Sequence, residues 1–133
     1  MAIILDADVI INGEKGNFEL IAWLDAQTGQ DLEIAAITVA ELWHGIERAT
    51  AQHRARREYY LRTIVEKLEP IPYTEFTALI HATLWAELES SGRVIGPHDM
   101  ILAATALERD STVVTFNKRH FIGVPGLKII EPK

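Results

Sequence analysis

Residues 2–5 read Ala-Ile-Ile-Leu and run straight into Asp6. A strand with one wet face alternates apolar and polar residues. Four apolar residues in a row fit a strand covered on both sides, the habit of parallel sheets with helices above and below. "TVVTF" at 112–116 is β-branched in the same manner. Between these runs, helical spacing alternates with short strands. Phe18, Ile21, Ala22 and Leu24, followed by Gly29, predict a helix over 17–28. Further strands are expected at 32–37, 69–73 and 127–130. The prolines of "EPIPY" at 69–73 favour a sheet edge. Helices are expected at 38–50, 52–68, 74–92 and 97–110. The pattern is α/β: one domain over 1–133, with a mostly parallel central sheet of about five strands and helices on both faces.

A chain of 133 residues has room for one core. Its net charge of −6 argues against bulk attraction to nucleic acid but leaves room for a local basic patch. With no cysteine, disulfides and thiolate metal sites are excluded, which suits a reducing cytosol. No apolar run approaches the roughly 20 residues needed to span a bilayer. The start, "MAIILDADVI", lacks the basic region and cleavage site of a signal peptide, so a cytoplasmic chain with no membrane association is expected.

In open parallel sheets, ligands bind outside the carboxyl ends of the strands. Three acids fall there. Asp6 closes the first strand; a turn or helix cap is its other reading, as it is for Asp8, which could cap "VIIN". Glu41 follows Thr38 by three residues, the spacing of a capping box, yet a helix starting after the second strand puts Glu41 at the same rim. Asp99 follows the Gly96-Pro97 turn in the first turn of a helix, where the dipole favours an acid. Ala103, Ala104 and Ala106 give that helix a small side that can approach the sheet. Converging carboxylates repel, and a hard divalent cation removes the cost. Mg²⁺ with phosphate oxygens points to metal-assisted phosphodiester hydrolysis.

"TFNKRHF" follows the late strand at the same rim. Thr115 can orient a carboxylate, and Asn117 offers a neutral oxygen. Lys118, Arg119 and His120 can meet phosphates, while Phe121 anchors the turn in the core. No other histidine has a spacing that pairs with His120 for metal binding. Residues 48–62 carry Arg48, His53, Arg54, Arg56, Arg57 and Arg62. This is either a solvated helix face, an RNA-backbone contact with Tyr59 or Tyr60 for stacking, or a face for an acidic partner. Trp23 and Trp43 could form a dimer face or fill the core.

Other readings compete. "LDADVII" fits the D-x-D-x-[TV] opening of haloacid-dehalogenase-like phosphatases, with Asp6 as nucleophile. That family also needs a late acidic pair, and after "TVVTF" there is no acid before Glu131. Receiver domains need an aspartate ending the third strand, where this chain reads "IPYTEF". A non-catalytic binding module would use the same acids only to hold a protein, without metal dependence.

Together "IILDADVII", "ITVAELWHGIERA", "GPHDMILAATALERDSTVVTFNKRHF" and "PGLKIIEP" resemble PIN-domain ribonucleases, and more narrowly the VapC-type toxins of toxin–antitoxin pairs. The resemblance covers nearly the whole chain. It implies that Asp6, Glu41 and Asp99 bind Mg²⁺ or Mn²⁺, and that Thr115 and Asn117 complete the catalytic set. It further implies RNA cleavage, of tRNA or rRNA, by metal-activated water. Lys118 or Arg119 would stabilise the developing charge, and Thr38, Arg54 and Arg57 are further candidates for substrate contact. A homodimer and a cognate antitoxin complete the expectation. Asp8 stands where the family more often has Asn or Ser, and Asn117 where many members have a fourth acid. One firm metal site and a weaker second one follow.

Overall fold

The computed structural model describes all of residues 1–133. Strand β1 (Ala2–Leu5) feeds helix α1 (Ala7–Glu14), then α2 (Leu20–Asp25), β2 (Asp31–Ala35), α3 (Ala36–Glu47) and α4 (Ala51–Val65). Strand β3 (Glu69–Ile71) precedes α5 (Glu75–Ser90), α6 (Pro97–Arg109) and β4 (Thr112–Val114), with a short 3₁₀ turn at Lys118–His120 before β5 (Lys128–Ile130). The strands lie in the order β3-β2-β1-β4-β5. All four pairings are parallel, with Ile4 opposite Glu33 on one side and Val113 on the other. As expected, the proline-bearing β3 is an edge. No helix is long and apolar enough to cross a membrane.

The run Ala2–Leu5 shows why the sheet is covered twice. Ile3 and Leu5 pack into one core with Val9, Ile10, Leu42, Ile46 and Ile64, under α1 to α4. Ile4, between them, packs into a second core with Leu84, Leu88, Leu102 and Phe121, under α5 and α6. Successive side chains of a strand point to opposite faces, so an unbroken apolar run serves both cores. Each such fully buried side chain stabilises the fold by about 1.5–3 kcal/mol over an exposed one. Trp23 and Trp43 pack against the first core, each partly buried.

Several boundaries differ from the expectation. Helix α1 is not marked by sequence period, because "ADVIIN" is as apolar as the strand before it. Helix α2 is Leu20–Asp25, shorter than 17–28. Strand β2 stops at Ala35, and α3 begins at Ala36 with Ala35 at its N-cap and no side-chain cap bond. Thr38 is therefore not a cap; it lies one turn inside the helix, fully buried.

Candidate active site

The strand order reverses at β1, so crossovers leave in opposite directions and a crevice opens at the carboxyl ends of β1 and β4. Asp6 stands there with two tasks. Its backbone N–H still donates to Val114 O at 2.9 Å, continuing the ladder. Its Oδ1 accepts from the Ala7 N–H at 2.8 Å, which makes it the N-cap of α1. Its Oδ2 accepts from the Thr115 hydroxyl at 2.9 Å. The capping and rim readings of Asp6 thus hold together, while Asp8 sits in the first turn of α1 and is not a cap.

Asp8 is tied to the other strand. Its Oδ2 accepts from the Phe116 N–H and from Asn117 Nδ2, each at 3.0 Å. The Asn117 N–H in turn donates to Thr115 Oγ1 at 2.9 Å. Asn117 therefore presents its amide nitrogen to an acid and holds Asp8 in place. Thr115, Asn117, Asp6 and Asp8 form one lattice of bonds between residues more than a hundred positions apart.

Glu41 and Asp99 reach the same crevice from α3 and α6, each beside a histidine. His98 Nδ1 lies 3.4 Å from Glu41 Oε2, and His120 Nδ1 lies 3.3 Å from Asp99 Oδ2. All four carboxyls are held above their ordinary range. Burial, and then the charge of Asp8, push Asp6 up to about 7, against the pull of the Thr115 bond. Burial raises Asp8, offset by the Phe116 and Thr115 donors. Burial raises Glu41 and Asp99 too, each offset by its histidine. Asp99 adds repulsion to Asp6, Asp8 and Glu41, so the four share one field.

This donor set fits a hard divalent cation: carboxylate oxygens of uncompensated charge in a half-buried crevice. As the side chains stand, no three acidic or imidazole groups close on one point, because Glu41 and Asp99 turn toward His98 and His120. Closing on an ion means exchanging those contacts.

The remaining candidates are dispersed. Lys118 and Arg119 are exposed on the 3₁₀ turn beside Asp99's partner His120. Arg57 shares a groove with Ile10, Glu41 and Tyr60 but is bonded to Glu14 at 3.2 Å. Arg54 is paired with Glu47 at 2.6 Å. Thr38 has no exposed surface to offer a substrate. His98 was missed, though its signal was present: it adjoins Asp99 in a first helical turn.

A match to the PIN domain family spans residues 3–127. The VapC ribonuclease Y4jK of Sinorhizobium fredii is 33% identical, over 98% of this chain and 96% of that protein. The tRNA(fMet)-specific endonuclease VapC of Salmonella typhimurium is 33% identical, over 72% of this chain and 71% of its own. The DNA-bound VapBC structure from Salmonella typhimurium superposes with a TM-score of 0.89 at 29% identity, over 98% of each chain. The fold, the acid-lined switch point and these matches agree, and the phosphatase and receiver readings fall away: the chain belongs to the PIN-domain family, among the VapC ribonucleases.

Proposed function

We propose that this chain is a divalent-metal-dependent endoribonuclease, the toxin of a toxin–antitoxin pair. The observation that carries the reading is the half-buried crevice that gathers Asp6, Asp8, Glu41 and Asp99, each raised first by burial, at the carboxyl end of a parallel sheet. Asp6, Glu41 and Asp99 would hold Mg²⁺ or Mn²⁺. When bound, the ion neutralises these charges, polarises a phosphoryl oxygen and lowers the pKa of water. The protein's own part is positioning. The Ala7 N–H and Thr115 fix Asp6 in one rotamer. Asn117 and the Phe116 N–H hold Asp8. Lys118 and Arg119 meet the charge that develops on the phosphate.

The proposed substrate is a tRNA or rRNA in the cytoplasm, cut to leave a 5′-phosphate and a 3′-hydroxyl. The proposed inhibitor is a cognate antitoxin, which the VapBC likeness supports. A homodimer is also proposed. Phe76 and Leu79, exposed and one turn apart on α5, support it as apolar surface of the kind that marks association sites.

The test is cleavage of purified total RNA with Mg²⁺ or Mn²⁺ and then with EDTA, beside identically purified Asp99→Asn. Discrete metal-dependent products, absent from a folded Asp99→Asn, are expected. Normal cleavage by Asp99→Asn overturns the assignment. No cleavage by folded, antitoxin-free protein favours the non-catalytic binding module.

A further inference from the structure

A groove runs beside the acid crevice, between the α5–α6 connection and the turn after β4. Arg93, Val94, Arg119, His120, Ile122 and Gly123 are among its lining, and it encloses about 270 Å³. It neighbours the crevice, since His120 lines the groove and also stands against Asp99. We propose that it receives the RNA strand on one side of the scissile bond, with Arg93 and Arg119 on backbone phosphates and Val94 and Ile122 against a base. The inference rests on the ribonuclease reading and extends it to substrate placement.

Three observations support it. The first is charge. Arg54, Arg57, Arg62 and Arg109 each have an acidic partner. Arg48, Arg56, Arg93 and Arg119 have none, and of these only Arg93 and Arg119 line one groove. Two unpaired guanidinium groups lining one groove suit an anion between them.

The second is that Arg93 is held in place. Helix α5 ends through Gly92, at φ +71°, and the Arg93 N–H closes back on Leu88 O at 2.9 Å. This is the glycine-dependent helix stop that satisfies a late carbonyl. The guanidinium then lies on Gly123, where a Cβ would stand 2.6 Å from Nη1. A side chain at 123 would push the guanidinium off this position.

The third is the apolar rim. Val94 is 99% exposed and Ile122 78%. Cations beside apolar surface match a nucleotide, which brings a phosphate and a flat base together. An acidic protein segment would use the same cations, and direct binding of RNA by the isolated chain separates the two.

The experiment measures binding of a labelled single-stranded RNA by fluorescence anisotropy in EDTA, across a salt series, together with kcat and KM for cleavage. Arg93→Gln and Arg119→Gln should each weaken binding about three- to tenfold and lower the salt slope by about one. For Arg93→Gln, KM should rise while kcat holds; Arg119→Gln should lower kcat as well, because Arg119 also meets the charge developing on the phosphate. Gly123→Ala keeps every charge but displaces the Arg93 guanidinium, and should weaken binding as Arg93→Gln does. Lys128→Gln, at the start of β5, removes an equal charge at the other end of the sheet and should change nothing. Unchanged affinity and slope in folded Arg93→Gln and Arg119→Gln overturn the proposal. Weakened binding in a chain that cleaves no RNA leaves the groove standing and sinks the ribonuclease reading instead.

Discussion

The Thr115 hydroxyl donates to Asp6 Oδ2 at 2.9 Å, joining the ends of the two strands that flank the switch point. The hydroxyl has one proton to give, and it accepts from the Asn117 N–H at 2.9 Å with its free lone pairs. Thr115→Val keeps the shape and removes both bonds. Asp6 then loses a donor that holds its pKa down, so the acidic limb of the pH–rate profile should move to higher pH. The orphaned groups should cost about 1–3 kcal/mol in urea melts. Thr115→Ser should recover both. An unshifted acidic limb in a folded Thr115→Val would show that the bond orders the loop without tuning Asp6.

Asp6 makes stability itself depend on pH. Its carboxyl ionises near 3.8 when the chain is unfolded and at about 7 in the fold. Between those values the folded state binds more protons, so stability falls as pH rises from about 4 to about 7, by at most about 4 kcal/mol for this group. Burial shifts Asp8, Glu41 and Asp99 in the same direction. In chelator, Asp6→Asn should match the wild type at pH 4 and exceed it at pH 8. Mg²⁺ at pH 8 should raise the wild-type midpoint far more than that of the variant, since only the folded wild type presents the full set of acids. Parallel pH–stability curves for the two proteins would remove Asp6 from this role.

Much of the fold was legible because it rests on local period. The runs at Ala2–Leu5 and Thr112–Val114 announced a doubly covered sheet, and Gly92 announced the end of α5. The site was legible for a different reason: an acid directly after a buried strand or in a first helical turn has few places to point. What periodicity could not supply is pairing across the chain. Nothing near Asn117 in sequence says that its amide faces Asp8, and nothing near Glu33 reveals Arg109 or Ser111. Likewise the start of α3 was misplaced at Thr38, because Ala36 and Ile37 suit either state and the Thr38–Glu41 spacing mimics a capping box. Tertiary packing settled that boundary.

Glu33 lies in β2 with no exposed surface, held by Arg109 Nε at 3.1 Å, Arg109 Nη2 at 2.6 Å and the Ser111 hydroxyl. Arg109→Leu strips its only charged partner and leaves a buried carboxylate on one hydroxyl. Breaking an enclosed pair costs about 3–5 kcal/mol. Arg109 is partly exposed, so a loss of about 2 kcal/mol is expected by chemical denaturation. Because α6 carries Asp99 at its other end, kcat and KM per folded molecule should not change. A loss of cleavage without a loss of stability would mean that α6 passes strain from Glu33 to Asp99.

Thr38 separates two accounts of the α3 start. Its hydroxyl is buried and has no hydrogen-bond partner, and the helix begins two residues earlier. A capping threonine would lose about 1 kcal/mol on substitution by a residue without the oxygen. An orphaned hydroxyl behaves in the opposite way: Thr38→Val exchanges it for a methyl group of the same shape and removes a desolvated polar group. Thr38→Val should therefore melt at the same temperature as the wild type or higher, by up to about 1 kcal/mol in stability. RNA affinity should stay unchanged, because the side chain is enclosed. A clear loss of stability would instead reveal that the hydroxyl is satisfied by an ordered water at the base of the crevice.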